Sequence, residues 1–141
     1  PYCLVYKELV PPESLVKVPF IKYQTDASVA NIIETWCAEH FEEPPSVAMD
    51  VNSMSTCRHF VRAGLGWSIL TYMGLGSCKD KDIYVSPLRS KNGEYITRDT
   101  NMVYTKDSEN LIVVKTFIEY VRNYYKEHTV VDNSIFREYK A

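Results

Sequence analysis

The stretch RHFVRAGLGWSIL, Arg58 to Leu70, decides the fold. Its first half carries apolar residues at helical spacing, and its second half is an apolar run that reads as a buried strand. Gly64 and Gly66 stand between them. A glycine can end a helix in the left-handed conformation, where a Cβ is costly. A second glycine lets the backbone turn tightly into Trp67. The stretch therefore predicts a tight helix-to-strand corner. It is not a phosphate loop, because its glycines follow a helix instead of preceding one.

Working outward, Met54 to Ala63 reads as an amphipathic helix and WSILTY as the strand after it. Upstream, SVAMDV is a strand with Val47, Met49 and Val51 on one side. Val29 to Phe41 places Val29, Ile32, Ile33, Trp36, Cys37 and Phe41 at helical spacing, with Asp26 or Ser28 as N-cap and Pro44-Pro45 as the stop. PFIKYQ and YCLVY read as strands, separated by a helical turn at PPESLVKV. Downstream, KDIYVSPL is a strand, Asn92-Gly93 a turn, NMVYTK a further strand and Leu111 to His128 a long helix. TVVDNSIFREYKA is a short extra helix or a loose tail. Strands alternating with helices make the class α/β with a largely parallel sheet. Ligands of such sheets settle beyond the carboxyl ends of the strands, near helix N-termini.

The totals narrow the function. The chain has 141 residues, 45% hydrophobic and 24% charged, with a formal net charge of -2. That length allows a real core without staples. The balance argues against gripping nucleic acid, which calls for a basic patch. No apolar run approaches the length that spans a bilayer. The four cysteines, Cys3, Cys37, Cys57 and Cys78, form no CxxC pair and no zinc-like cluster, so they read as reduced thiols of a cytoplasmic protein. Pro1 is not an initiator methionine and a strand-like run follows at once, so the chain is expected to be cut from something longer.

FVRAGLGWSIL resembles the helix-glycine-strand segment in the effector-binding domain of LysR-type transcriptional regulators. PFIKYQ is similar to that family's strand leading into the ligand site, and SVAMDVNSMSTCRHFVRAGLGWSIL to its strand, pocket helix and glycine corner. DIYVSPL resembles the strand closing the second lobe, and NMVYTKDSENLIVVKTFIEYV the returning strand and final helix of the first. The resemblance covers about residues 1 to 128. The family's proline shortly after the corner is Thr71 here.

The resemblance implies a type-2 periplasmic-binding-protein-like fold, with a complete second lobe and a truncated first lobe. Residues 9–95 would form the second lobe, residues 1–8 a crossover strand, and residues 96–141 the remnant of the first lobe. That remnant is expected to be poorly covered or to find a neighbouring chain. The implied function is sensing of a small-molecule effector, such as an organic anion, to control a DNA-binding helix-turn-helix domain outside this chain. Dimers or tetramers are implied, with no membrane and no cofactor.

Candidate ligand-binding residues are Tyr23, Gln24, Thr25, Asn52, Ser53 and His59. The helix starting near Ser53 offers free N–H groups and a positive dipole end, which suit an anion. Plain N-capping, the common job of such residues, also explains Asn52 and Ser53, and a surface turn explains Tyr23 to Thr25. His59 can face the cleft by resemblance and donate to an anion there, or simply be a surface or packed residue. Trp67 and Tyr72 can stack a ligand, though core packing suits Trp67 better. No catalytic set assembles, since Cys57 and His59, two apart on a helix, do not face each other. The second reading is a solute-binding protein of a transporter with the same fold.

Overall fold

A computed structural model describes residues 2–8, 11–76, 83–128 and 131–137. Cys78 and most of its loop lie outside them. The chain divides into two compact units, 1–97 with 134–141, and 98–133.

The first unit contains β1 (Tyr2–Tyr6), β2 (Phe20–Tyr23), α1 (Ala27–His40), β3 (Val47–Val51), α2 (Met54–Arg62), β4 (Ser68–Thr71) and β5 (Tyr84–Pro87). β1 lies between β4 and β5, antiparallel to both, while β2 and β3 pair in parallel. A single parallel bridge, Phe20 to Trp67, joins the two ladders. Four strands thus run one way and β1 runs against them, so the three-stranded ladder is antiparallel throughout where the alternation of strands and helices predicts a largely parallel sheet. β1 enters from the start of the chain, and no α-helix stands between it and β2 to return the chain in the same direction. All five residues of β1 are buried, as a strand paired on both edges and covered on both faces requires.

The glycine corner explains how the ladders meet. α2 ends in a Schellman motif: the Leu65 N–H donates to the Phe60 carbonyl at 3.1 Å and the Gly64 N–H to the Val61 carbonyl at 2.9 Å. Gly64 carries the left-handed φ of 77° that this motif requires. Gly66 is glycine for a different reason, because a Cβ there would collide with the Pro19 carbonyl. That close approach lets the Trp67 N–H donate to Pro19 at 3.0 Å and the Ile21 N–H donate to Trp67 at 2.9 Å. The corner is the seam between β2 and β4.

Trp67 is fully buried at this seam, with Phe20 at 4.8 Å and Phe41 at 5.9 Å between ring centroids. Its indole N–H donates to the Val18 carbonyl at 3.1 Å. Trp67 is therefore core, and the strand expected at WSILTY is shortened, since Tyr72 begins a 3-10 turn, Tyr72–Leu75. PPESLVKV also forms a 3-10 turn, Pro12–Lys17, and Leu15 is its buried anchor. The Asn92-Gly93 turn forms as expected, with Gly93 at φ 82° and its N–H donating to the Ser90 carbonyl at 2.9 Å.

The second unit carries α3 (Ile112–Glu127) after a 3-10 turn at Ser108–Asn110. Ile118 is buried, but Ile112 and Val113 are 80% and 76% exposed, and Phe117, Tyr120 and Tyr125 are also exposed. NMVYTK, expected as a strand, is irregular here. A strand exists only as a member of a ladder, and the described residues of this unit supply no neighbour for it.

Candidate functional site

Because β2 and β3 are parallel neighbours, their carboxyl ends lie side by side. Tyr23 stands opposite Val51, and the Gln24 N–H donates to the Val51 carbonyl at 2.8 Å. Each strand then runs directly into the N-terminus of a helix. This edge is where an α/β sheet presents free backbone donors to a ligand.

The two helix starts differ in charge. Asp26 caps α1, its carboxylate accepting the Val29 N–H at 3.0 Å, and so sets a negative charge against that dipole. Ser53 caps α2 with a neutral hydroxyl, accepting the Thr56 N–H at 3.1 Å. The Ser53 and Thr56 hydroxyls lie 3.0 Å apart, and the Thr56 hydroxyl donates to the Asn52 side chain at 3.5 Å. Capping satisfies Thr56 and leaves the first-turn N–H groups of Met54 and Ser55 without an intrahelical acceptor. The start of α2 is the end suited to an anion.

Gln24, Thr25, Asn52 and Ser53 therefore share one rim, all at least partly exposed. Tyr23 reaches the same edge, but its ring is buried and only 3% exposed. Its hydroxyl is buried with no hydrogen-bond partner among the described residues. Burial, with smaller contributions from Cys57, Tyr2 and Asp26, pushes its pKa up to about 12. His59 sits six residues beyond Ser53, about 9 Å along the helix axis. It is exposed, and its Nδ1 lies 2.7 Å from the Ser55 carbonyl within the same helix.

The structure also holds a cavity of about 450 Å³ lying along α1 and the β2–β3 ladder. Phe20, Ile33, Cys37, Phe41, Pro45 and Val47 supply its apolar wall. Tyr23 and Thr25 also line it, whereas Gln24, Asn52, Ser53 and His59 do not. Burial, and next to it the Glu34 carboxylate, pushes the Cys37 thiol up to about 11, so it is a neutral wall group. Sequence reasoning placed Ile33, Cys37 and Phe41 on a buried helix face, and all three are buried here while also lining the cavity.

Among the described residues no group of three or more His, Cys, Asp and Glu side chains is placed to hold a metal ion, and no helix is long and apolar enough to cross a membrane.

A family model described as the LysR substrate binding domain matches residues 2–126. The chain is similar to YraN of Bacillus subtilis (strain 168), described as an uncharacterized HTH-type transcriptional regulator, with 34% identity over 119 residues, 84% of this chain and 40% of that protein. It is also similar to YkuM of the same organism, described in the same words, with 27% identity over 105 residues, 74% of this chain and 35% of that protein. The chain thus spans about two fifths of the length of the curated relatives it matches. Among solved structures, the bromide-bound regulatory domain of HypT from Salmonella typhimurium aligns with a TM-score of 0.57 and 15% identity, covering 90% of this chain and 62% of that one. That likeness is one of fold.

Proposed function

This chain belongs to the LysR substrate-binding domain family, and from that premise we propose that it is the effector-sensing part of a transcription factor. A small molecule binds at the rim formed by Gln24, Thr25, Asn52 and Ser53, and the response is carried to a helix-turn-helix domain outside this chain. The observation behind this reading is the pairing of two helix starts at adjacent carboxyl ends of parallel strands, tied by the Gln24-to-Val51 hydrogen bond. The neutral cap at Ser53 favours an organic anion over a cation on that side of the rim. On this reading residues 9–95 supply the second lobe, residues 1–8 the strand crossing between lobes, and residues 96–141 include what this chain carries of the first. The working protein is a cytoplasmic dimer or tetramer.

Sensing requires the effector to bind one subunit arrangement better than the other. A tenfold change in DNA affinity needs about 1.4 kcal/mol of such preference. The relatives, described as transcriptional regulators, favour sensing over delivery of a solute to a transporter.

The test is titration of the intact regulator with a panel of small organic acids, following operator binding and thermal stability together. A member of the panel is expected to shift both, and Ser53→Ala with Asn52→Ala to weaken that ligand at least tenfold. Operator affinity and melting temperature that stay flat across the panel, with DNA binding itself intact, overturn the proposal.

A further inference from the structure

Among the described residues β5 is the outermost strand beside β1, so one of its edges faces away from the sheet. In an antiparallel ladder alternate residues turn their backbone groups toward the partner strand and away from it. The Val85 carbonyl accepts from the Arg137 N–H at 2.8 Å, so Val85 is an outward-facing position. Pro87, two residues on, is outward-facing as well and has no N–H to offer. The chain thus treats this edge in two ways, with a proline at one position and its own segment 134–137 at the other.

Side chains seat the segment. Ser86 is only 7% exposed, and with Ser68 it makes up the buried polar residues described in this core. Its hydroxyl donates to the Arg137 carbonyl at 2.7 Å and lies 2.8 Å from the hydroxyl of Tyr6, itself 4% exposed. A buried hydroxyl without partners is costly, and Arg137 supplies the acceptor that completes this chain. Phe136 packs edge-on to Tyr72 with centroids 6.3 Å apart, and the Arg137 guanidinium lies 5.8 Å from the Tyr84 ring. Ile135 and Phe136 both pack against the core.

We infer that segment 134–137 is an intramolecular cap on the free edge of β5, seated through Ser86, that denies this edge to strand pairing with a second copy of the chain. An open edge strand recruits another by the same backbone groups that Arg137 occupies. The cap works independently of the effector rim, at the far side of the sheet order from β3.

Two measurements test it. Amide hydrogen exchange on the intact chain should show the Arg137 N–H protected at least tenfold over a free-coil amide, and exchange at the coil rate overturns the cap. A chain ending at Asn133 should associate at several-fold lower concentration by light scattering, and a synthetic peptide of residues 131–141 should reverse this while leaving the full chain unaffected. A folded truncated chain that associates no more readily than the full chain, and ignores the peptide, overturns the proposal. Should truncation prevent folding, Arg137→Pro in the full chain removes the same N–H, and its association must rise in the same assay. Unchanged association there is equally fatal.

Discussion

Tyr23 ends β2 with a buried ring and a hydroxyl that finds no partner among the described residues. Removing that oxygen removes an uncompensated desolvation cost. Tyr23→Phe is therefore expected to stabilise the ligand-free chain by about 1 kcal/mol, read as a higher urea midpoint. The buried acids also set an alkaline limit. Tyr23 is raised from 10.0 to about 12 and Cys37 from 9.0 to about 11, mainly by burial, and Cys57 is raised by burial as well. Each is held protonated in the fold, and the unfolded chain loses these protons first. Their contribution to stability is therefore complete below pH 9 and drains away as pH climbs from about 9 toward 12. Urea midpoints should be level from pH 7 to 8.5 and fall steadily to pH 11, with Tyr23→Phe falling less above pH 10. Gly66 is the opposite case, a position with no slack. Gly66→Ala must push β4 away from Pro19, and a loss of at least about 3 kcal/mol, or failure to fold, is expected by circular dichroism. The need for glycine at 66 was legible as a tight corner, but its cause, the approach of Pro19, was not. That contact joins residues far apart in the chain, and no local pattern encodes it.

Helix starts were the most legible elements. Of the two N-cap candidates for α1, Asp26 and Ser28, Asp26 is the cap, and Ser53 caps α2; each accepts from the third helical N–H. Capping is decided within four residues, so sequence carries it. Ser53→Ala should cost about 1 kcal/mol of stability in a thermal melt. The same substitution should weaken an anionic effector by more than it weakens a neutral analogue. Strands were less legible where pairing is nonlocal. NMVYTK has the composition of a strand yet forms none here, since composition gives a propensity and only a neighbour gives a ladder. The rim itself was half legible. Gln24, Thr25, Asn52 and Ser53 meet because β2 and β3 are parallel neighbours, whereas Tyr23 turns its ring inward and His59 sits farther up its helix.

At the scale of the molecule, the two compact units differ in how well they are finished. The first has a core built around Trp67, with both faces of β1 buried. In the second, α3 leaves Ile112, Val113 and Phe117 to solvent. The isolated chain should therefore bind a hydrophobic dye and associate at micromolar concentration. Ile112→Ser with Val113→Ser should reduce both while leaving the melting of the first unit within about 0.5 kcal/mol, because surface changes away from a core cost little.

The central place of β1 has a consequence for synthesis. Its partners are Thr71 through Ser68 on one side and Pro87 through Tyr84 on the other. YCLVY leaves the ribosome well before either of them. At ordinary translation speeds roughly ten seconds pass before β5 is available. Throughout that interval the edge of β1 that pairs with Tyr84–Pro87 is without that partner. Closure of this ladder awaits the arrival of β5, so its last step on the ribosome seats β1, made some eighty residues earlier, between β4 and β5.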